Sequence, residues 1–494
     1  MSNPQNNPSD TGSPMPADET GILRLDAEER KRLWKQLSDE AERYYTDVEG
    51  LPVTPPMDPD AIREKLVSFR FDEGLAPAEV TEFVVSMLRK YQVQQAHPMY
   101  YGLFNPASST MGVAGDFLAA VFNPQLAAWS HSPIAAEIEN HLIATFGSLF
   151  GYGAAETEGT FTSGGAEANH TALLAAVTTH FPGYPENGVR SLPRQPVFYV
   201  STQSHHSFLK AARFCGLGSI SVRHVAVDSK LRMKAEMLQE MIRRDTLGGL
   251  APFMVVAAAG STNAGVIDPL QQIADVAAEN DLWFHVDAAW GGAAAFVPEL
   301  KAYFAGLERS DSITFDAHKW MSVPMGAGIY LNRHRGILNK TCAIETAYMP
   351  KDAAGLDIRD PYMHSMQWSR RAIGLKVFMS LAVAGRPGYE SVIRHMAAMG
   401  NRLRNSLADA GFEICNDTPL PVVCFRPSGV NDMQKLQAIV RKIITSGKAW
   451  ISTTSLEGHG PVMRACITNF GTDTIHTDRL VELISDATAR VLEE

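Results

Sequence analysis

The 494-residue chain lacks several features by which common classes of protein are recognised. Its five cysteines are scattered and form no C-x-x-C pair, so neither a disulfide framework nor a zinc site is indicated, and a reducing cytoplasm fits. No uninterrupted apolar run approaches the length of a membrane span. The net charge of −10 favours neither nucleic acid nor an anionic membrane surface as a partner.

The beginning of the chain has no basic start and no apolar core of the kind found in signal peptides. Residues 1–20 are rich in Pro, Asn, Ser and Asp, and we expect residues 1–25 to be a disordered tail. Hydrophobic residues make up 45% of the chain and charged residues 20%, which is ordinary for a globular protein. The length allows two or more domains with a large core.

Helical periodicity dominates residues 26–100. One apolar face runs through residues 26–47, and after the break at "LPVTPPMDP" further helices are predicted near 59–67 and 77–92. This segment is too thin to hold a core of its own. We therefore expect it to pack on a neighbour, such as the second subunit of a dimer.

Short apolar runs alternate with helical segments over residues 101–385. The runs are "VFYVST" (197–202), "FMVVAAAG" (253–260), "LWFHVDAA" (282–289) and "SITFDAH" (312–318), with a helix predicted over 268–280. This alternation predicts an α/β domain with a mostly parallel sheet covered by helices. Residues 386–494 predict a small C-terminal α+β domain, with helices at 389–410, 431–446 and 476–493 and strands within 411–426, 449–456 and 461–468.

Two charged residues follow predicted buried strands. Asp287 comes after "WFHV" and Lys319 after "SITF", so both are expected at the carboxyl edge of the sheet, where such folds bind ligands. A solvated or acid-paired lysine is the simpler interpretation of Lys319, and a structural ion pair is the simpler interpretation of Asp287. The functional alternatives are a lysine that reacts with a carbonyl and a carboxylate that holds a protonated ring nitrogen.

Two further segments supply polar groups to the same edge. "TFTSGGAEANHTALLAA" (160–176) is a small-residue turn that opens a helix, and backbone N–H groups at a helix start suit a phosphate. It is neither a Walker loop nor G-x-G-x-x-G, which counts against ATP and dinucleotides. In "STQSHHSF" (201–208), His205 could lie on a planar cofactor, whereas His206 is more simply a solvated residue; a metal site lacks a clear set of partner ligands. A reactive lysine, an aspartate, a phosphate turn and a stacking ring together match pyridoxal 5′-phosphate.

The chain resembles the group II pyridoxal-phosphate-dependent decarboxylases, the family of the aromatic-L-amino-acid decarboxylases. The resemblance covers about four-fifths of the chain and rests on an ordered set of motifs: "HPMYYGLFNPASS" (97–109), "SPIAAEIE" (132–139), "TSGGAEAN", "STQSHHSF", "HVDAAWGG" and "DAHKW". It implies the fold-type I architecture and an obligate homodimer with active sites at the subunit interface. It also implies an amino-acid carboxy-lyase.

Residue roles follow from the resemblance position by position. Lys319 matches the Schiff-base lysine, Asp287 the partner of the ring nitrogen, His205 the stacked histidine, and Tyr348 the tyrosine of a mobile loop that reaches the partner's site and protonates Cα. The remaining implied contacts are Ser163, Gly164, Gly165, Thr262, Ala289 and His318 for the cofactor, and Phe104, Pro106, Trp129 and Arg464 for the substrate.

Three departures from the family pattern bear on the substrate. Asp316-Ala317 replaces an Asn-Pro pair, which puts a carboxylate near the expected phosphate site. Pro106 replaces a threonine of the animal aromatic decarboxylases, and Ala127 replaces a bulky ring, which would widen the pocket. An aromatic amino acid is the expected substrate. An acidic or aliphatic one, an aldehyde synthase activity, and a non-catalytic scaffold are the alternatives.

Overall fold

The computed structural model describes residues 21–350 and 355–493, which fall into two compact units. One unit holds the described residues up to Leu51 together with Pro55–Val93, and the other holds Pro52–Thr54 and the described residues from Gln94 onward. Residues 1–20 of the predicted disordered tail (1–25) lie outside the described residues.

The first unit is helical, as the periodicity of its sequence indicates. Its helices are α1 (Gly21–Arg24), α2 (Ala27–Asp47), α3 (Pro59–Val67) and α4 (Pro77–Tyr91). The Asp26 carboxylate caps α2 by accepting hydrogen bonds from the backbone N–H groups of Glu28 and Glu29, both at 2.8 Å. None of the described side chains of α2, α3 and α4 is buried. That this segment covers a neighbouring subunit stays a prediction.

A seven-stranded sheet organises the second unit. Its strands are β1 (Glu158–Thr162), β2 (Pro196–Ser201), β3 (Val222–Val225), β4 (Ala251–Ala258), β5 (Trp283–Asp287), β6 (Ser312–Asp316) and β7 (Gly328–Asn332). The order across the sheet is β1-β7-β6-β5-β4-β2-β3. Strands β3, β2, β4, β5 and β6 are parallel, while β7 runs antiparallel to both β6 and β1. The predicted, mostly parallel sheet is confirmed.

The helices of this part of the unit are α5 (Thr110–Phe122), α6 (Pro133–Phe150), α7 (Gly165–His180), α8 (Tyr184–Asn187), α9 (Ser207–Phe214), α10 (Ala235–Leu247), α11 (Leu270–Glu279), α12 (Pro298–Lys301) and α13 (Ile337–Cys342). Helices α6, α7, α9, α10 and α11 pack on the strands and cover both faces of this sheet. Neighbouring strand residues alternate between two apolar clusters, since Val255 and Phe284 belong to one and Met254 and Trp283 to the other. Burial on both faces explains why these strands have near-continuous apolar sequences.

A long helix leads to the C-terminal sheet. Helix α14 (Gly374–Asp409) starts earlier than the helix predicted at 389–410 and is interrupted at Gly385, where φ is 62° and ψ is 176°. Positive φ favours glycine at that position, and Pro387 follows two residues later. The small sheet then has the antiparallel order β10-β11-β9-β8. Its elements are β8 (Phe412–Ile414), β9 (Val422–Pro427), α15 (Met433–Thr445), β10 (Ser452–Leu456), β11 (Gly460–Cys466) and α16 (Thr474–Glu493).

Three properties of the described residues complete the picture. No helix within 21–350 and 355–493 is long and apolar enough to cross a membrane. No group of three or more His, Cys, Asp or Glu side chains in those ranges could hold a metal ion. All five cysteines are free thiols. The cytoplasmic location suggested by the cysteine pattern stays a prediction.

Candidate active site

A cavity of about 280 Å³ lies at the carboxyl edge of the parallel strands. Asp287, the last residue of β5, and Lys319, three residues after β6, both line it. The sequence-predicted site residues that the cavity brings together are Phe104, Gly165, His205, Thr262, Asp287, Ala289, Lys319 and Arg464. The cavity therefore lies at the edge of the sheet where the sequence predicts a ligand.

Lys319 reaches the cavity from beside a buried acid. Its Nζ lies 2.8 Å from Asp316 Oδ2, and its side chain is 24% exposed whereas that of Asp316 is 1% exposed. The contact lacks hydrogen-bond geometry, and neither carboxylate oxygen of Asp316 has a hydrogen-bond partner among the described residues. The acid-paired interpretation of Lys319 thus describes this structure, and the same pairing holds the amine at the cavity wall.

Asp287 is held by hydrogen bonds rather than by a cation. Its Oδ2 accepts a hydrogen bond from Asn169 Nδ2 at 2.9 Å, and its Oδ1 accepts one from the backbone N–H of Ala289 at 3.1 Å. In the described ranges it forms no ion pair within 4.0 Å with a basic side chain. A half-buried carboxylate with two donors and no counter-charge is suited to binding a cationic group of a ligand.

The start of α7 approaches the same cavity. A Cβ built on Gly165 would lie 2.8 Å from Asp316 Oδ2 and 3.2 Å from Ala289 Cβ, so a larger residue would force this helix start away. The first backbone N–H groups of a helix have no partner inside the helix and can bind an anion. Ser163 donates both its backbone N–H and its hydroxyl to Glu167, at 2.8 and 2.7 Å. Backbone N–H groups are therefore better placed than Ser163 to bind a phosphate here.

His318 lies against this turn as a neutral donor. Its Nδ1 accepts the backbone N–H of Ala327 at 3.1 Å, so the proton of the neutral ring is on Nε2. Burial lowers the pKa of His318, and the charge of Asp316 opposes that shift. A Cβ on Gly164 would lie 3.4 Å from the His318 ring. The ring thus adds one N–H group beside the helix start.

His205 lines the cavity from the loop after β2. Its Nδ1 accepts the backbone N–H of Ser207 at 3.2 Å, which leaves the proton of the neutral ring on Nε2. Although the ring is open to solvent on the cavity side, the protein around it lowers its pKa, and the charge of Asp287 opposes that shift. His206 is exposed and does not line the cavity.

An aromatic wall and one buried cation close the cavity. Phe104 stacks on Trp290 with ring centroids 4.4 Å apart, and the Arg464 guanidinium lies 4.8 Å from the centre of the Phe104 ring. Arg464 is 3% exposed and donates Nε to the carbonyl of Asn263 and Nη2 to that of Thr262, at 3.1 and 2.8 Å. The Phe104–Trp290 stack holds the aromatic wall of the cavity in place. The two hydrogen bonds of Arg464 hold the backbone at Asn263 and Thr262, which forms another part of the cavity wall.

Other predicted site residues lie elsewhere on this chain. Ser163, Gly164 and His318 adjoin the cavity without lining it. Tyr348 is 73% exposed and stacks on Trp368 with centroids 6.0 Å apart. Trp129 bonds through its backbone N–H to Asp360 and through Nε1 to Glu137, at 2.8 and 2.7 Å. Neither these two nor Pro106 lines the cavity of the same subunit.

Similarity to known proteins decides which ligand this cavity serves. Residues 80–428, more than half of the chain, match the pyridoxal-dependent decarboxylase conserved domain. The chain belongs to the pyridoxal-dependent decarboxylases. This decarboxylase is therefore a carboxy-lyase that acts on an amino acid with pyridoxal 5′-phosphate as cofactor. The family resemblance of its motifs is confirmed.

Individual relatives differ in the substrates that their names state. An aromatic-L-amino-acid decarboxylase from Bacillus atrophaeus is 30% identical, over 92% of this decarboxylase and 94% of that protein. An acidic amino acid decarboxylase from Xenopus tropicalis is 29% identical, over 75% and 73%. The crystal structure of Oryza sativa TDC with PLP and tryptamine has a TM-score of 0.89 at 24% identity, covering 94% of this chain and 99% of that one. The last likeness shows that the fold is shared.

The groups at the cavity fit the cofactor of this family. Lys319 supplies an amine, Asp287 a carboxylate without a counter-cation, and His205 a flat ring, while α7 begins at the cavity wall. Two carboxylates near that helix start, Asp316 and Glu167, carry charge that opposes a phosphate there. Sequence reasoning missed Asn169 and Trp290; Asn169 follows Gly165 by four residues and so lies on the same face of α7.

Proposed function

We propose that this decarboxylase converts an aromatic L-amino acid to its amine and CO2. The observation that carries the proposal is the aromatic wall made by Phe104 and Trp290, next to Leu103. An aromatic side chain gains from such a wall through burial and offset stacking. Arg464 is the cation beside this wall, and two of its donors are bonded to backbone carbonyls.

Each residue at the cavity has its own role in binding the cofactor. Lys319 would hold the cofactor through its amine and give it up to the substrate amine, Asp287 would hold the proton on the ring nitrogen, and His205 would contact the ring. The helix start at Gly165 and the Nε2–H of His318 would bind the phosphate. Thr262 and Ala289, from the loops after β4 and β5, would also contact the cofactor.

Loss of CO2 needs an acceptor for the electron pair that stays on Cα. Bound pyridoxal phosphate supplies it, because a protonated pyridine ring withdraws electrons. Arg464 has five N–H groups and donates two of them to backbone carbonyls, and we assign the substrate carboxylate to its remaining donors. Tyr348 then protonates Cα.

We also propose a homodimer in which Tyr348, Trp129 and Pro106 serve the site of the partner. These three residues lie away from the cavity of their own subunit. Helix α5 exposes Val113, Val121 and Phe122, with exposed fractions of 40, 55 and 77%, which is unusual for a helix that faces water. A dimer would cover such a surface, and the helices of residues 26–100 would add to the cover.

Two alternatives within the family have some support. A relative with 29% identity acts on acidic amino acids, so an acidic or aliphatic substrate is the second candidate. An aldehyde synthase would also oxidise the product with oxygen, and its hallmark is loss of the loop tyrosine or the stacking histidine. Tyr348 and His205 are both present, which favours the simple decarboxylase.

The test is an assay of the purified holoenzyme with each of the twenty amino acids, detecting both the amine and CO2. We expect equal amounts of amine and CO2 from tryptophan, tyrosine or phenylalanine, and little from the others. Turnover confined to glutamate or aspartate would overturn the aromatic assignment. Aldehyde and peroxide in place of amine would identify a synthase.

A further inference from the structure

A buried hydrogen-bond network extends from Asp287 at the cavity wall to residues of α7, β5 and β6. Its centre is Asn169, on the second turn of α7 and 1% exposed. Asn169 Nδ2 donates to Asp287 Oδ2 and to Ser207 Oγ, both at 2.9 Å. Its Oδ1 accepts from Thr314 Oγ1 at 2.7 Å and lies 3.2 Å from His285 Nε2. All four hydrogen-bonding positions of the amide are therefore used.

The orientation of this amide is determined by its neighbours. Ser312 Oγ accepts a hydrogen bond from Trp283 Nε1 at 2.8 Å, so its own hydrogen is free for His285 Nδ1, also at 2.8 Å. That places the proton of a neutral His285 on Nε2, facing Asn169 Oδ1. Burial keeps this ring neutral, with its pKa lowered to about 4. A flipped Asn169 would set its oxygen against the Asp287 carboxylate.

A second feature concerns what surrounds Asp287. The charged and titratable groups at the cavity are His205, Lys319 and Arg464, with Asp316 beside Lys319, and His285 lies on the other side of Asp287. Burial lowers the pKa of His285 to about 4, the surrounding protein lowers the pKa of the exposed His205, and Lys319 is paired with Asp316. The fixed donors to the carboxylate are therefore Asn169 Nδ2 and the Ala289 N–H.

We propose that Asn169 is a positioning residue that keeps Asp287 ionised, and so keeps the proton on the ring nitrogen of the bound cofactor. This inference rests on the assignment of Asp287 to the ring nitrogen. In a weakly polar site, a carboxylate and a pyridinium can pass their shared proton to the carboxylate and become neutral. The number of protons is the same in both forms; only their position differs. A hydrogen bond from Asn169 stabilises the charged form of the carboxylate more than the neutral form, because a hydrogen bond to an ionised acceptor is stronger.

The experiment uses full-length holoenzyme carrying pyridoxal phosphate labelled with nitrogen-15 in the ring. The chemical shift of that nitrogen reports directly whether it holds the proton. We expect the protonated value in the wild type and, in Asn169→Leu, a shift toward the value of an unprotonated pyridine. Cofactor loss on dialysis should also become roughly 10- to 100-fold greater, the usual effect of losing a hydrogen bond to a charged group.

Two further variants make the result specific. Ser207→Ala removes the other acceptor of Asn169 without touching Asp287, and it should keep the wild-type shift. Thr314→Val preserves shape but removes the donor that orients the amide, and it should give an intermediate shift even if Asn169→Leu folds poorly. A folded Asn169→Leu or Thr314→Val holoenzyme with the wild-type shift would overturn the inference.

The outcome separates this inference from the proposed function. A wild-type enzyme whose ring nitrogen is unprotonated would contradict the role of Asp287 itself. A protonated nitrogen in the wild type together with an unchanged nitrogen in the variants would leave Asp287 in place and remove Asn169 from its support. A purely structural role for Asn169 would lower thermal stability without moving the nitrogen-15 shift.

Discussion

At the scale of single residues, Asp316 is a buried carboxylate next to both the amine and the helix start of the candidate site. Its carboxylate is 1% exposed and lies beside both the Lys319 amine and the start of α7. It stabilises an ammonium at Lys319 but repels a phosphate at the helix start. Two charges about 4 Å apart near a protein surface interact by about 4 kcal/mol before screening, so this acid can affect cofactor binding strongly.

We therefore expect Asp316→Asn to bind inorganic phosphate about tenfold more tightly, because it removes a negative charge next to the helix start. Calorimetry on the cofactor-free full-length protein measures this directly. The matched control is Asp245→Asn, a 3% exposed carboxylate paired with Arg223 away from the cavity, which should leave phosphate affinity unchanged. Weaker phosphate binding by Asp316→Asn would show that the anion site lies elsewhere.

The reactive residues could be predicted from sequence because a charge directly after a buried strand is costly and therefore informative. Lys319 and Asp287 were found in this way, and both line the cavity. The residues that pair with Lys319 and Asp287 could not be predicted from the sequence. Asn169 looks like an ordinary polar residue of a helix, and its contact with Asp287 joins residues 118 positions apart. The pairing of Lys319 with Asp316 also depends on a turn that the strand pattern does not determine.

At the scale of elements, the packing of the turn before α7 against β7 sets the position of the helix start at the site. Four of the five parallel strands could be predicted from their apolar runs, but β3 was missed, and so were β1 and β7, the antiparallel pair at one edge of the sheet. A Cβ on Gly328 of β7 would lie 2.5 Å from the Gly164 Cα, so β7 and the α7 turn pack with no space between them. Such close approach depends on tertiary contacts rather than on local periodicity.

Substitution by alanine should have different effects on stability at the two neighbouring glycines of the α7 turn, Gly164 and Gly165. Gly165→Ala places a methyl group 2.8 Å from Asp316 Oδ2, and we expect it to cost about 1–3 kcal/mol and to weaken cofactor retention. Gly164→Ala meets only the His318 ring at 3.4 Å and should be much milder. Thermal unfolding and dialysis of both holoenzymes provide the comparison. Equal losses in the two variants would contradict the packing argument.

Strand β5 carries a second testable property, the pH response of His285. Its pKa in the fold is about 4 against 6.5 unfolded, so the unfolded chain gains the proton first as pH falls. The contribution of His285 to stability is therefore present above 6.5 and is lost toward about 4, reaching a loss of about 2 kcal/mol by about pH 5. We expect the wild type to lose more stability than His285→Gln between about pH 7 and about pH 5. Parallel pH profiles for the two proteins would contradict this.

At the scale of the whole molecule, the central question is where Tyr348 acts. In this chain it stacks on Trp368 outside the cavity, which fits a residue that serves the partner's site. We expect the Tyr348→Phe homodimer to form amine about 10²- to 10⁴-fold more slowly, the usual contribution of a positioned acid. Products should shift toward aldehyde, ammonia and peroxide as dissolved oxygen competes. Unchanged amine output would exclude the proton-donor role.

Mixed dimers distinguish the two possible arrangements. A Tyr348→Phe subunit paired with a Lys319→Ala subunit keeps one intact site if the tyrosine acts in the partner's site, and none if it acts in its own. We expect the first outcome, with about half of the wild-type amine formation per dimer. Loss of nearly all amine formation in the mixed dimer would place Tyr348 in the site of its own subunit.

The assignment of Lys319 as the cofactor-binding lysine is tested most directly by finding the residue to which the cofactor is covalently attached. Holoenzyme reduced with borohydride and digested should carry the phosphopyridoxyl group on the peptide that contains Lys319, and Lys319→Ala should carry none. Lys376 provides the internal control, because it is also buried and paired with an acid, Asp116, but does not line the cavity. We expect modification at Lys319 alone. Modification of Lys376, or of any lysine in Lys319→Ala at the wild-type level, would contradict this assignment.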